Sequence, residues 1–334
     1  MPRICPTVIR EAAKIHPWLP LLMAENRTIS QARQELRWLV QEFGSNNSAS
    51  LYKACLERNR HVPLQYILGS QPFGMLDIKC KEGVLIPRWE TEEWCLNLTD
   101  SIKRSKLINS SVRHWKIMDL CTGSGCIPLT VINETKNLFS NQIRLEVDAV
   151  DYSPIAIDLS KLNFKTNFDN NVTLSQNFNV SFNIQKCNIL NETEILQYMG
   201  KYKKKQKINI LTCNPPYIPH HEFIKDVRSS VRMYEPKLAL IGNLEFYKNL
   251  NDFWVGKNLI DSFVYEIGTL EQALYVQNNL PSSWISGITL DSNNKARCIF
   301  GYNKEANIDY SKIFNHFKKT AKLYASIANN DGTT

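Results

Sequence analysis

Two hydrophobic periodicities divide the chain. Between residues 6 and 70 apolar positions recur at helical spacing, and in "TISQARQELRWLVQEF" Ala32, Leu36, Leu39 and Phe43 form one stripe, with Thr28 or Ser30 placed to cap it. A small helical domain over 1–71 is the consequence. The stretch "PFGMLDIKCKEGVLIPR" then alternates and carries a Glu82–Gly83 turn signal, which predicts a β-hairpin linker over 72–87. From Trp115 onward short apolar runs ("WKIMDL", "RLEVDAV", "SFNIQKC", "KINILTC", "LIDSFVYEI") alternate with helical stretches. Strand, helix, strand in that order means a parallel sheet with crossover helices. "SWISGITLD" and "ARCIFGY", separated by "SNNK", read as an antiparallel hairpin at the sheet edge. The expected architecture is therefore α/β, a Rossmann-like, mostly parallel sheet over 88–303, preceded by the helical domain. Residues 304–334 add a helix around "YSKIFNHFKKTAKLYASIA" and a polar tail; the Asn-rich stretch 163–183 and the lysine run 201–207 read as solvated loop insertions.

Composition narrows the class without naming it. A chain of 334 residues, 43% of them hydrophobic, can bury a full core, and no apolar run approaches the roughly 20 residues that span a bilayer. A membrane protein is not expected. The net charge of +8 is compatible with a nucleic-acid-linked partner but does not itself establish binding. Nine scattered cysteines, without C-x-x-C pairs or histidines at ligand spacing, read as buried thiols in a reducing compartment, so no metal site is expected. The first ten residues hold Arg3 and Arg10 and no acid before Glu11, a bias shared with organelle presequences.

Two junctions carry the chemistry. "DLCTGSGC" ends the first strand of the sheet: Gly123 and Gly125 allow a tight turn and close approach of a ligand, and the helix that follows offers its N-terminus. The second strand ends in Asp151, placed to bond a ribose diol. A nucleoside-containing cofactor follows. Proline at 128 replaces the third glycine of a dinucleotide loop, no P-loop is present, and Asp119 would repel a pyrophosphate but attract an ammonium. S-adenosyl-L-methionine carries both a ribose and an amino acid. The other junction, "ILTCNPPYIP", sets an apolar strand against a proline pair, so the strand must stop at Asn214, at the sheet edge where open α/β proteins bind ligands. A planar amide or aromatic amine is a poor nucleophile, so a transferase must accept its N–H bonds and aim the nitrogen. The Asn214 side-chain carbonyl and the Pro215 backbone carbonyl can do so, and Tyr217 offers a flat face for packing.

"DLCTGSG", "VDYS" and "NPPYIP" together resemble the class I S-adenosylmethionine-dependent methyltransferases of planar amino groups, which include DNA adenine-N6, RNA guanine-N2 and protein glutamine-N5 enzymes. "PLQYILG", "GVLIPRWETEEW" and "VRMYEPKLAL" are more selective: they resemble the HemK/PrmC family, which methylates the glutamine of the Gly-Gly-Gln motif in peptide-chain release factors. The likeness runs in order over residues 28–302. It implies a protein-(glutamine-N5) methyltransferase that tunes translation termination. It places cofactor contacts at Asp119, Cys121, Thr122, Gly123, Ser124, Gly125, Asp151 and Asn214, the adenine side at Asn188 and Ile189, and catalysis and substrate binding at Asn214, Pro215, Pro216 and Tyr217. Three positions depart from the family pattern. Cys121 stands for a glycine and is tolerable if its φ is negative, Trp89 stands for a proline, and Asn188 stands where an acid is common.

The helical domain resembles the release-factor-binding part of bacterial-type members, whereas the eukaryotic cytosolic relative resembles a bare catalytic domain with an activator subunit. This chain is thus expected to act as a monomer, without activator, on a bacterial-type release factor. Asn-rich insertions point to a fungal source and so to the mitochondrion, with the cytoplasm as the alternative. Two other functions stay open: a nucleic-acid adenine-N6 or guanine-N2 methyltransferase, for which no target-recognition insert is visible, and a non-catalytic cofactor-binding partner, which intact "NPPY" opposes. His220 and His221 read as solvent-facing loop residues, and Arg88 with residues 90–92 as the start of a helix bordering the cofactor pocket. Glu266, ending a strand, reads as a core-edge acid without a catalytic part, since transfer from a sulfonium needs no strong acid.

Overall fold

Five helices open the chain: α1 (Pro6–Ile15), α2 (Leu19–Asn26), α3 (Ile29–Phe43), α4 (Ser48–Asn59) and α5 (Leu64–Leu68). They belong to a computed structural model that describes residues 4–44, 48–109, 112–139, 142–168, 179–200 and 207–320. Thr28 is the cap of α3, its hydroxyl oxygen accepting the Gln31 N–H at 3.4 Å. Ala32, Leu36 and Leu39 turn inward with Leu22, Leu51 and Cys55, so these helices bury a core of their own. Beside it the Arg58 guanidinium grips Glu35 with two bonds of 2.8 Å, a buried fork that satisfies both charges.

The hairpin forms from β1 (Ser70–Phe73) and β2 (Leu76–Lys79), with Phe73 opposite Leu76. Its turn is therefore at Gly74–Met75, not at the expected Glu82–Gly83. Burial explains the difference: this register turns Phe73, Leu76 and Ile78 into the core together, while Gly83 lies beyond the hairpin on the wall of the cavity described below.

Seven strands make the main sheet: β3 (His114–Leu120), β4 (Arg144–Asp151), β5 (Val180–Lys186), β6 (Ile210–Cys213), β7 (Ser262–Glu266), β8 (Trp284–Leu290) and β9 (Ala296–Asn303). They lie in the order β5-β4-β3-β6-β7-β9-β8, parallel from β5 to β7 and antiparallel through β9 and β8. The fold is that of the class I methyltransferases. The inner strands read as continuous apolar runs because both faces are covered. On one face lie α6 (Trp89–Ser105) and α7 (Cys126–Thr135) with the helix Ser311–Thr320, whose Phe314 ring stacks 5.2 Å from Phe300 and 5.5 Å from Tyr302. Tyr247, Phe253, Trp254 and Val276 pack on the other. The chain leaves the centre leftward after β3 and rightward after β6, so a crevice opens between these two strands at their carboxyl ends.

Hydrogen bonds join the first helices to the rest. The Ser230 hydroxyl meets Glu25 at 2.8 Å, the Tyr234 hydroxyl donates to the Arg60 carbonyl at 2.9 Å, and the Tyr66 hydroxyl to the Val84 carbonyl at 2.7 Å. No described helix is long and apolar enough to cross a membrane. The lysines of 201–206, the middle of the Asn-rich stretch (169–178), Arg3 and the tail beyond Thr320 lie outside the described residues.

Candidate active site

At the carboxyl edge of β3 the loop 121–125 turns on three left-handed residues, Cys121 (φ +54°), Gly123 (φ +57°) and Gly125 (φ +82°). Cys121 thus does not have the negative φ expected of it; it occupies a glycine conformation with a side chain attached, at a cost of about 1 kcal/mol. Gly125 precedes α7, and a Cβ there would stand 2.3 Å from the Ser160 hydroxyl on α8 (Pro154–Phe168). This glycine serves helix approach. Asp151 holds the loop from β4: one carboxylate oxygen accepts the Gly123 N–H and the other the Ser153 N–H, both at 2.8 Å. Burial pushes its pKa up, against these backbone donors.

A cavity of about 390 Å³ lies over this edge, and the structure brings Cys121, Thr122, Gly123, Ser124, Asp151, Asn188, Ile189, Asn214 and Pro216 to its wall. Asp119, Gly125, Pro215 and Tyr217 do not line it. Asp119, expected to meet an ammonium, is fully buried beneath the loop, with one oxygen accepting the Thr212 hydroxyl at 2.7 Å. Burial pushes its pKa up to about 7, opposed by the Thr122 and Thr212 hydroxyls. Its second oxygen and the Thr122 hydroxyl are buried without a hydrogen bond among the described residues. Thr122 is near enough to favour the anion without closing a bond. The Asn188 carbonyl oxygen, expected on the adenine side, accepts the Leu190 N–H at 3.0 Å, so one of its lone pairs is spent on its own turn.

A nucleoside carrying an amino acid fits this wall. Val84, Ile86, Ile189 and Phe246 give it apolar surface for a base, and Asp151 supplies a carboxylate. Positive charge is favoured by the Asp151 carboxylate on the wall.

The opposite wall rests on side chains. β6 ends at Cys213, and Asn214 turns into the cavity with its Nδ2 donating to the Thr91 hydroxyl at 3.1 Å. Thr91 sits in the first turn of α6 and bonds Glu266 at 2.7 Å; the Trp94 indole N–H donates to the same oxygen at 2.8 Å. Tyr217 reaches the other Glu266 oxygen at 3.1 Å, and burial pushes its phenol above its ordinary value, so it stays neutral. Gln272 holds the Tyr217 carbonyl at 2.9 Å while accepting the Gly268 N–H at 2.8 Å. Glycine is required at 268, where a Cβ would stand 2.6 Å from the Tyr217 ring. Glu266 is therefore not an isolated core-edge acid. Burial raises its pKa, opposed by Trp94, Thr91, Arg297 and Tyr217.

Arg88, just before α6, bonds Glu235 at 2.7 Å, and Glu235 also accepts the Ile86 N–H, tying two cavity-lining segments together. His220 and His221 are exposed. Thr91, Trp94, Gln272 and Gly268 escaped the sequence reading as individual residues. Only Thr91 and Trp94 fall within a quoted stretch, "GVLIPRWETEEW", and nothing in their spacing distinguishes them from other α6 positions.

No family model matches the chain. The mitochondrial MRF1 N(5)-glutamine methyltransferase MTQ1 of Saccharomyces cerevisiae is 42% identical over 308 residues, covering 90% of this chain and 89% of its own length. The probable MRF1 mitochondrial N(5)-glutamine methyltransferase of Schizosaccharomyces pombe is 35% identical over 87% of this chain and 93% of its own. The release factor glutamine methyltransferase of Clostridium acetobutylicum is 30% identical, with 72% and 74% covered. Among solved structures, the release-factor-specific protein-(glutamine-N5) methyltransferase of Alicyclobacillus acidocaldarius aligns over 65% of this chain and 94% of its own, at 15% identity and a TM-score of 0.35. That superposition adds nothing to the strand order.

Proposed function

The chain belongs to the release factor glutamine methyltransferases, the HemK/PrmC family, and from that premise we infer that it methylates N5 of the glutamine in the Gly-Gly-Gln motif of a bacterial-type release factor. It is an enzyme. The observation that carries the local chemistry is that Asn214 opens on the same cavity as the loop 121–124 and Asp151, with its amide nitrogen already tied to Thr91. Its carbonyl is left to accept an N–H.

S-adenosyl-L-methionine, when bound, supplies an electrophilic methyl on a sulfonium. Asp151 would hold the ribose hydroxyls, Asn188 and Ile189 would flank the base, and Cys121, Thr122, Gly123 and Ser124 would face the amino-acid end. Asn214 Oδ1 and the Pro215 carbonyl accept the two N–H bonds of the substrate amide, which holds the nitrogen lone pair toward the methyl-bearing side. Pro216 lines the same wall, and Tyr217, fixed through Glu266 and Gln272, steadies the turn. Gln272 ties β7's following turn to the tetrapeptide. No acid or base of altered pKa is needed, since the leaving thioether is neutral and the proton departs after transfer.

The chain acts as a monomer without an activator, with α1–α5 as the part that docks the release factor, and it resides in the mitochondrion. The mitochondrial relatives of two yeasts, matched over nearly their whole length, support that compartment. Transfer of labelled methyl to a purified bacterial-type release factor, beside DNA, tRNA and a factor with its Gly-Gly-Gln glutamine changed to alanine, tests the reading. Label on nucleic acid alone would overturn it. Removal of residues 1–70 is expected to lower kcat/KM on the factor.

A further inference from the structure

Glu266 is fully buried at the end of β7 and does not line the cavity, yet it is bonded to side chains on either side of the amide acceptor. One oxygen takes the Trp94 indole N–H at 2.8 Å and lies 2.7 Å from the Thr91 hydroxyl; the other lies 3.1 Å from the Tyr217 hydroxyl. The Thr91 hydroxyl is also 3.1 Å from Asn214 Nδ2. The two ends of an asparagine amide are nearly equal in shape and differ in hydrogen bonding, so the neighbours decide which end points where.

Counting protons fixes the arrangement. A hydroxyl has one proton. If Thr91 gives it to the Glu266 carboxylate, a lone pair is left for the Asn214 N–H, and the amide carbonyl must face away from Thr91. Were the amide turned over, Oδ1 and the carboxylate would both demand that single proton. One of them would then meet an oxygen lone pair at hydrogen-bonding distance, which for a buried group costs about 1–3 kcal/mol. A carboxylate anchored by Trp94, a donor that cannot reverse, thus selects one orientation.

We propose that Glu266 and Thr91 are positioning residues that set the orientation of the Asn214 amide, Glu266 acting through Thr91, so that Oδ1 is presented to the substrate N–H. The proposal rests on Asn214 being the amide acceptor. It predicts that Thr91 and Glu266, 175 positions apart in the chain, are functionally linked, and that Thr91 matters only while Asn214 is present.

The test uses the full-length enzyme, methyl transfer to a bacterial-type release factor at saturating donor, binding of S-adenosyl-L-homocysteine by calorimetry, and melting temperature. Thr91→Val is expected to lower kcat about 10- to 100-fold, the cost of a misplaced acceptor. Its Kd for S-adenosyl-L-homocysteine should stay within about threefold, because positioning is felt in the transition state. Thr91→Ser, which keeps the hydroxyl, should recover most of the loss. Glu266→Leu should fall like Thr91→Val, and Glu266→Gln should restore most of that, because Trp94 holds the glutamine oxygen toward Thr91. In an Asn214→Ala background, adding Thr91→Val should change kcat less than about twofold, since residues acting as one unit are not additive. Wild-type kcat in Thr91→Val, a Thr91→Ser enzyme as slow as Thr91→Val, or full multiplication of the two losses would overturn the proposal. If Asn214→Ala itself keeps wild-type kcat, the acceptor reading fails; if it falls and Thr91→Val does not, only the positioning role fails.

Discussion

The two walls of the cavity are built by different means. On the β3 to β5 side the shape comes from backbone: three left-handed residues, a glycine that only the bare α-carbon fits, and a carboxylate, Asp151, that grips two N–H groups. On the β6 and β7 side it comes from side chains converging on Glu266 from α6, from the NPPY turn and from the segment after β7. The contrast teaches which changes each wall tolerates. A backbone-shaped wall accepts a new side chain wherever the dihedral angles survive, as Cys121 shows in a glycine conformation. A wall made of donors and acceptors depends on each proton, although it too has one bare α-carbon, at Gly268 against the Tyr217 ring.

The sharpest test of that difference is at Asn214. Asn214→Ala is expected to lower kcat about 100-fold, near 2.7 kcal/mol, while the Kd for S-adenosyl-L-homocysteine moves only several-fold. Calorimetry beside single-turnover rates checks the split, and Asp151→Ala should show the reverse emphasis. If Asn214→Ala weakens binding as much as Asp151→Ala does, the walls are not separate in function.

Next comes the backbone wall. Gly125→Ala puts a Cβ 2.3 Å from the Ser160 hydroxyl at φ +82°, and is expected to lower unfolding stability by about 2 kcal/mol. Denaturant melts check it, and Gly125→Ala with Ser160→Ala should recover the steric part only. In the opposite direction, Cys121→Gly removes a strained side chain, and a gain of about 0.5–1 kcal/mol is expected before the added chain entropy of glycine is subtracted. A loss of more than that would mean that the thiol itself packs the wall.

The burial of one acid beneath the backbone wall adds a pH dependence. Asp119, buried under the loop, has a folded pKa of about 7 against an ordinary 3.8, so folding favours its protonated form. Its contribution is fully present below the ordinary value and is lost as pH rises toward about 7. Asp119→Asn cannot ionise. The melting temperature of Asp119→Asn minus that of the natural chain should therefore be greater at pH 8 than at pH 5. An unchanging difference would mean that the Thr122 and Thr212 hydroxyls hold the carboxylate ionised in the folded state as well.

Strand positions, the glycine loop, Asp151 and the stop at Asn214 were all legible in the sequence, because each depends on residues within a few positions of one another. β6 ends at Cys213 because two prolines follow the asparagine, and α3 begins after Thr28 because its oxygen meets Gln31. The motifs of the family were legible for the same reason, and so was the methyl-transfer chemistry. Only the tertiary structure decided what joins distant stretches. Burial of Phe73 and Leu76 moved the hairpin turn to Gly74, and burial put Asp119 beneath the loop rather than in the cavity. The turn of the loop after β3 set Cys121 at a positive φ. Most of all, the sequence at Glu266 showed an acid at a strand end, whereas the fold set it against Thr91, 175 residues away. Local order follows from short-range sterics and hydrophobic period; the partner of a buried charge is fixed by which elements pack, and that information is spread over the whole chain.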